Sequence, residues 1–127
     1  MYKSGGIMKF AAFLLFQFKT TTNDIINKKR ICEERIYNIN TTSSEDAYLK
    51  ANQIGKEEEF SYNDEEKLIN FEFIGIVDLI ELSDIDDENL VWSRFQEKVN
   101  PMERKSKLIP KKENLTVFKT NKRKLKL

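Results

Sequence analysis

The 127-residue sequence has no histidine and only one cysteine, Cys32. Without histidine the chain lacks the usual general base near neutral pH and the commonest metal ligand. A lone cysteine excludes an intramolecular disulfide framework and a cysteine-based zinc cluster. Cys32 would also need a non-histidine base to act as a nucleophile, so it reads as a small buried hydrophobe. The four glycines form no phosphate-cradling loop. Long apolar runs are missing too. The N-terminal "KFAAFLLFQF" is too short to span a bilayer, contains Gln17 and lacks a small-residue cleavage site. These absences predict a cytoplasmic protein with no membrane segment, no metal, no cofactor and no catalytic residues. Residues 1–8 read as a leader, with Met8 as an alternative start.

What is present is a strong charge asymmetry. From Arg104 to Leu127 there are ten basic residues and one acid, a balance of +9; the first 103 residues carry twelve basic and twenty acidic residues, a balance of −8. An acidic body at 9–101 is thus followed by a basic tail at 102–127.

Within the body, "KFAAFLLFQF" is apolar on both alternations, as in a strand with two covered faces. Residues 19–29 are polar and long for a hairpin loop. "RICEERIYNIN" alternates but carries charge in its middle, which suggests an edge strand. "TTSSEDAYLKANQIGKEEEFSY" reads as the one helix, capped by Ser43 or Ser44, with Glu45 and Asp46 favoured by the dipole at its start. Its stripe of Ala47, Ala51 and Ile54 is small enough for close packing on a sheet. Gly55 either ends the helix or marks that close contact. "LINFEFIGIVDLIEL" and "NLVWSRFQEKV" are the last two strands, joined by the acidic "SDIDDE". The expected fold is α+β: β-β-α-β-β, a four-stranded antiparallel sheet in the order 2-1-3-4 with one helix on one face.

Taken in order, "KFAAFLLFQF", "CEERIYNI", the helix, "FEFIGIVDLIEL" and "VWSRF" resemble a small bacterial family of unknown function, domain-of-unknown-function family four-two-eight-eight. The resemblance spans about residues 8–98 and leaves the tail outside. It implies no established reaction. Some members are suspected of being immunity proteins beside secreted toxins, which implies a protein partner.

The candidate sites are few. Asp78 lies in a strand with apolar faces, where a carboxylate is costly unless paired. Arg35 and Arg94, on the expected outer strands, are its natural partners in a structural ion pair, and Gly75 permits a bulge or a close approach. Glu33 and Glu34 are adjacent strand residues, so they point to opposite faces and cannot converge on one substrate. Asp84, Asp86, Asp87 and Glu88 lack the central glycine and distal glutamate of a calcium loop. They read as a solvated turn or as an acidic patch for a basic partner, joined by "EEE" at 57–59 and "DEE" at 64–66. Trp92 and Arg94 are residue types favoured at binding hot spots. In the tail, Lys111, Lys112, Lys122, Arg123, Lys124 and Lys126 could meet phosphate, although the interleaved apolar residues favour docking on the acidic body.

One helix covers one sheet face, yet the first strand is apolar on both. The second face then needs a second copy, a partner or the tail, with Leu108, Ile109, Val117 and Phe118 as cover. A homodimer is the favoured solution, with a tail-covered monomer as the alternative. The expected function is a non-enzymatic protein-binding module, most concretely an immunity-type inhibitor whose acidic surface binds a basic toxin. The alternative is a nucleic-acid-associated protein that uses the tail.

Overall fold

The computed structural model describes residues 6–82 and 92–119, with 92–94 by their backbone alone. The strands are β1 (Met8–Thr22), β2 (Ile25–Ile26), β3 (Lys29–Thr41), β4 (Phe60–Asp64), β5 (Lys67–Leu82) and β6 (Trp92–Val99); helix α1 (Ser44–Glu57) lies between β3 and β4. A short helix α2 (Lys105–Leu108) and a 3₁₀ turn (Lys112–Asn114) follow β6.

The class is α+β and every strand pairing is antiparallel, as expected. The strand count and order are not. The sheet has six strands in the order β4-β5-β1-β3-β6, with β2 paired to β1. The last strand therefore lies beside β3, on the opposite side of the sheet from β5, where a short acidic turn would have placed it. The physical reason is that the outer edge of β5 is taken. Lys67–Phe71 pair with β4, and the chain after β6 packs along much of the remainder.

Two turns account for the added strands. Asn23 and Asp24 both have positive φ, 51° and 65°, as a two-residue hairpin turn requires, so the polar 19–29 stretch folds back into β2. Glu65, at φ 61°, turns β4 into β5 where glycine or asparagine would be the usual choice.

Helix α1 starts as its sequence implies. Ser43 caps it, with the hydroxyl accepting from the Asp46 N–H at 3.0 Å. Its buried face is Ala47, Ala51 and Gly55. The close contact at Gly55 is extreme, since an added Cβ would stand 2.5 Å from the Phe73 ring.

The two faces have separate cores. On the helix side Phe10, Ala12, Leu14 and Phe16 of β1 join Ala47, Ala51, Phe73, Ile76 and Leu79, together with Leu115 and Val117 from beyond β6. On the other side Leu15, Cys32 and Ile74 are covered by Val77, Met102, Leu108 and Ile109. The second face thus receives Leu108 and Ile109 from the same chain, while Val117 and Phe118 go to the helix side.

Two register shifts along β1–β5, between Phe13 and Leu14 and between Leu15 and Phe16, rephase β5. They bring Phe73, Ile76 and Leu79 to one core at a spacing of three, which strict alternation forbids. Gly75 sits between the shifts. A Cβ there would come within 2.9 Å of Ile109, so the close approach belongs to the tail and not to the helix.

Candidate functional site

Asp78 does not have the partners expected of it. One carboxylate oxygen accepts from the Thr116 N–H at 2.7 Å and the Leu79 N–H at 2.8 Å; the other accepts from the Thr116 hydroxyl at 2.6 Å. The arginines are out of position because β5 neighbours β1. Arg35 stands on β3, across β1, and Arg94 on β6 lies one strand further, at the register of Glu34. Asp78 instead clamps the tail to the free edge of β5.

A second clamp lies on the tail-covered face. Arg30 is 2% exposed and makes a two-pronged pair with Glu103, at 2.7 and 2.9 Å. It also donates to Gln17, which donates in turn to Glu72, itself paired with Lys19. The Arg30 guanidinium holds the Glu103 carboxyl below the usual glutamate range. Lys112 adds a third link: it pairs with Glu45 and stands over the rings of Tyr48 and Phe118. Of the tail cations predicted to bind phosphate, Lys111 is exposed and Lys112 is engaged in that contact. Lys122, Arg123, Lys124 and Lys126 lie outside the described residues.

Arg35 has a different task. Its guanidinium lies over the Phe16 and Phe71 rings, 5.1 and 4.9 Å from their centroids. It pairs with Glu33 at 2.9 Å and with Glu58 at 2.9 Å, and it donates to the Tyr37 hydroxyl at 3.1 Å. Burial disfavours its charge, yet the Glu33 and Tyr37 oxygens hold its pKa above the ordinary arginine value.

Arg35 marks the border of an open surface. Helix α1 covers one half of its sheet face and stops at Glu57. Beyond it an aromatic row runs across the strands. Phe71 stacks on Phe16 at 4.8 Å and on Phe60 at 5.0 Å, and Phe60 on Tyr62 at 6.0 Å. Large apolar side chains on this half stay open, among them Ile31 at 51%, Phe60 at 48%, Tyr62 at 46% and Phe95 at 62%. The register puts them on one side, since Phe95 opposes Glu33 and Phe60 opposes Phe71. Acids lie near them, Glu57, Glu58 and Glu59 at the helix end, Asp64, Glu65 and Glu66 at the hairpin and Glu97 opposite Ile31, with exposed Lys29 and Lys67 on the same face. This surface was missed from sequence. Its available signal was the Phe60–Tyr62 alternation directly after three glutamates.

The acidic-patch residues Asp84, Asp86, Asp87 and Glu88 lie outside the described residues. Trp92 and Arg94 occupy the positions opposite Ile36 and Glu34. Cys32 is fully buried, and burial pushes its thiol pKa up. Among the described residues no group of three or more His, Cys, Asp or Glu could hold a metal ion, and no helix is long and apolar enough to cross a membrane.

A family model matches residues 9–93. The chain belongs to the family described as Domain of unknown function (DUF4288). The DUF4288 match takes in β1 to the first residues of β6, and with them Arg35, Phe60, Tyr62 and Asp78. Phe95 and the tail clamps at Glu103 and Thr116 fall beyond it. No curated protein and no solved structure matches the chain.

Proposed function

We propose that this chain is a cytoplasmic, non-enzymatic protein-binding module, most concretely an immunity-type inhibitor of a basic toxin. The observation that carries the reading is the open half-face, where Ile31, Phe60, Tyr62 and Phe95 remain exposed beside the acids at 57–59 and 64–66 and Glu97. Aromatic anchors within a polar rim are the anatomy of a protein interface, and the sign of the rim selects a basic partner. Asp84, Asp86, Asp87, Glu88, Trp92 and Arg94 are kept as further contacts on their chemistry alone. The non-enzymatic reading rests on the burial of Cys32 and the opposite alternations of Glu33 and Glu34.

The test is growth on co-production with the product of the gene next to this chain's own. If that product halts growth, this chain should restore it, and the double variant Tyr62→Asp/Phe95→Asp should lose protection while keeping its circular dichroism spectrum. Protection that survives the double variant rejects the open half-face as the contact. The nucleic-acid reading is separated by ending the chain at Lys119, which spares the clamps at Glu103 and Thr116. If that variant loses affinity for a DNA duplex in fluorescence anisotropy, the basic end carries a function of its own.

A further inference from the structure

Stretches of the described sheet's outer edge are treated differently. β6 carries Arg94, Glu97 and Lys98 along its length, charges of the kind that deter further strand pairing. The edge of β5 beyond β4 is occupied. The Phe73 N–H donates to the Glu59 carboxylate at 2.9 Å, Ile109 packs on Gly75, and Asp78 holds Thr116. β4 has neither defence. All five residues of "FSYND" are exposed, and no charge precedes Asp64.

The groups β4 offers follow from its hairpin. Asp64 and Lys67 pair across the two-residue turn, so they exchange hydrogen bonds, and opposed pairs alternate along the ladder from there. Tyr62 and Phe60 therefore turn their main-chain groups to β5, while Ser61 and Asn63 turn theirs outward. The Phe73 N–H agrees with this phase: it points outward to Glu59, as those of Phe71 and Ile69 point to β4. Phe60 and Tyr62 form a fixed aromatic row beside the edge, with Phe60 stacked on Phe71. Glu57–Glu59 precede the strand, and Glu65 and Glu66 follow it.

From this geometry we propose that β4 is the docking edge for an added strand, an extended segment of a protein partner in which Lys or Arg alternates with apolar residues. Main-chain bonds to Ser61 and Asn63 hold it, its apolar side chains lie along Phe60 and Tyr62, and its cations meet the acids at both ends. The proposal rests on the protein-binding reading above and names how the partner is held.

The probe is a capped peptide, Lys-Val-Lys-Val-Lys-Val, titrated into the full chain and followed by amide resonances. Saturable binding that moves the Ser61 and Asn63 amides supports the proposal. The same peptide with alternate nitrogens methylated should bind about tenfold more weakly or worse, because it cannot pair. Ser61→Pro removes an outward N–H and leaves the β5 ladder intact, so it should keep the fold and show a similar loss. Equal binding of the methylated peptide, or shifts centred on Ile31 and Phe95, overturns strand addition but leaves the protein-binding reading standing. Absence of saturable binding overturns it as well. Binding seen only after removal of residues 120–127 overturns the external partner in favour of this chain's own basic end.

Discussion

The two halves of β1 lie in one strand and meet opposite surroundings. From Phe10 to Leu15 the strand is covered on both sides, by α1, Leu115 and Val117 on one and by Leu108 and Ile109 on the other. From Phe16 to Thr22 no helix roofs it among the described residues. The cause is length. The 14-residue helix extends about 21 Å at 1.5 Å per residue, whereas the 15-residue strand runs about 50 Å. The covered half uses small helix residues for close packing. The open half keeps Phe16 and Phe71 buried by laying the Arg35 guanidinium over them, and it fills the opposite side with the Gln17–Arg30–Glu72 network. A charged side chain anchored by carboxylates thus does at one end what a helix does at the other, and it leaves the neighbouring aromatics exposed.

A large predicted effect breaks the cover of the first half. Asp78→Ala removes both acceptors for Thr116, and hydrogen bonds to a charged group contribute roughly 1.5–3 kcal/mol each. We expect a loss of about 3 kcal/mol in urea unfolding, against less than about 0.5 kcal/mol for the exposed Glu81→Ala. Equal small losses would mean that the tail clamp does not hold the fold.

A somewhat smaller loss is expected from Gly55→Ala. The new methyl would meet the Phe73 ring at 2.5 Å, and that ring is itself buried. Overpacking costs about 1–3 kcal/mol, which outweighs the roughly 1 kcal/mol that alanine gains in helix propensity. Adding Phe73→Leu should recover part of the loss. An alanine variant as stable as the parent would show that the helix can lift from the sheet.

These two sites show what was legible in the sequence. The doubly apolar β1, the alternating β3 and the Ser43-capped helix each carry a local signal and formed at the expected residues, but β3 lies between β1 and β6 and not at the edge its central charges suggested, because β6 pairs along Lys29–Ile36. The partner of Asp78 did not announce itself, because a main-chain amide 38 positions later has no side-chain signature. Strand order was hidden for a related reason. "FSYND" continued the apparent helix, and the turn after it uses Glu65 at positive φ in place of glycine, so the strand that blocks the β5 edge went unseen. β4 takes only Lys67–Phe71 of that edge, and beyond it Glu59, Ile109 and Thr116 engage Phe73, Gly75 and Asp78, while β6 pairs with β3. The open half-face depends on where a helix stops relative to strands distant in sequence, and no local pattern records that.

The pH dependence of tail docking is a gentler probe. Arg30 holds the folded Glu103 pKa below its unfolded value, so the folded state binds fewer protons there. The contribution is fully present above the ordinary glutamate value, about pH 4.3, and is lost as pH falls through the lowered folded value. Glu103 is more than half exposed, so solvent screens the pair and the effect is small. Thermal unfolding from pH 6 to pH 3 should show the parent more stable than Glu103→Gln at the upper end, with the gap closing at the acid end. A constant gap would assign Glu103 a packing role only.

The smallest stability effect is expected where the largest binding effect lies. Phe95 is exposed on β6 and Tyr62 on β4, so neither supports the core. Replacing each with aspartate removes little buried area and should move the unfolding midpoint by less than about 0.5 kcal/mol in free energy. The same change to Phe16 or Phe71, which are fully buried under Arg35, should unfold the chain. If Tyr62→Asp or Phe95→Asp proves as damaging as a core change, those rings belong to the fold and the half-face is not free for a partner. If both variants stay folded and only partner binding is lost, the difference between the two halves of β1 is one of function: one half is built to be covered by the chain itself, the other by something else.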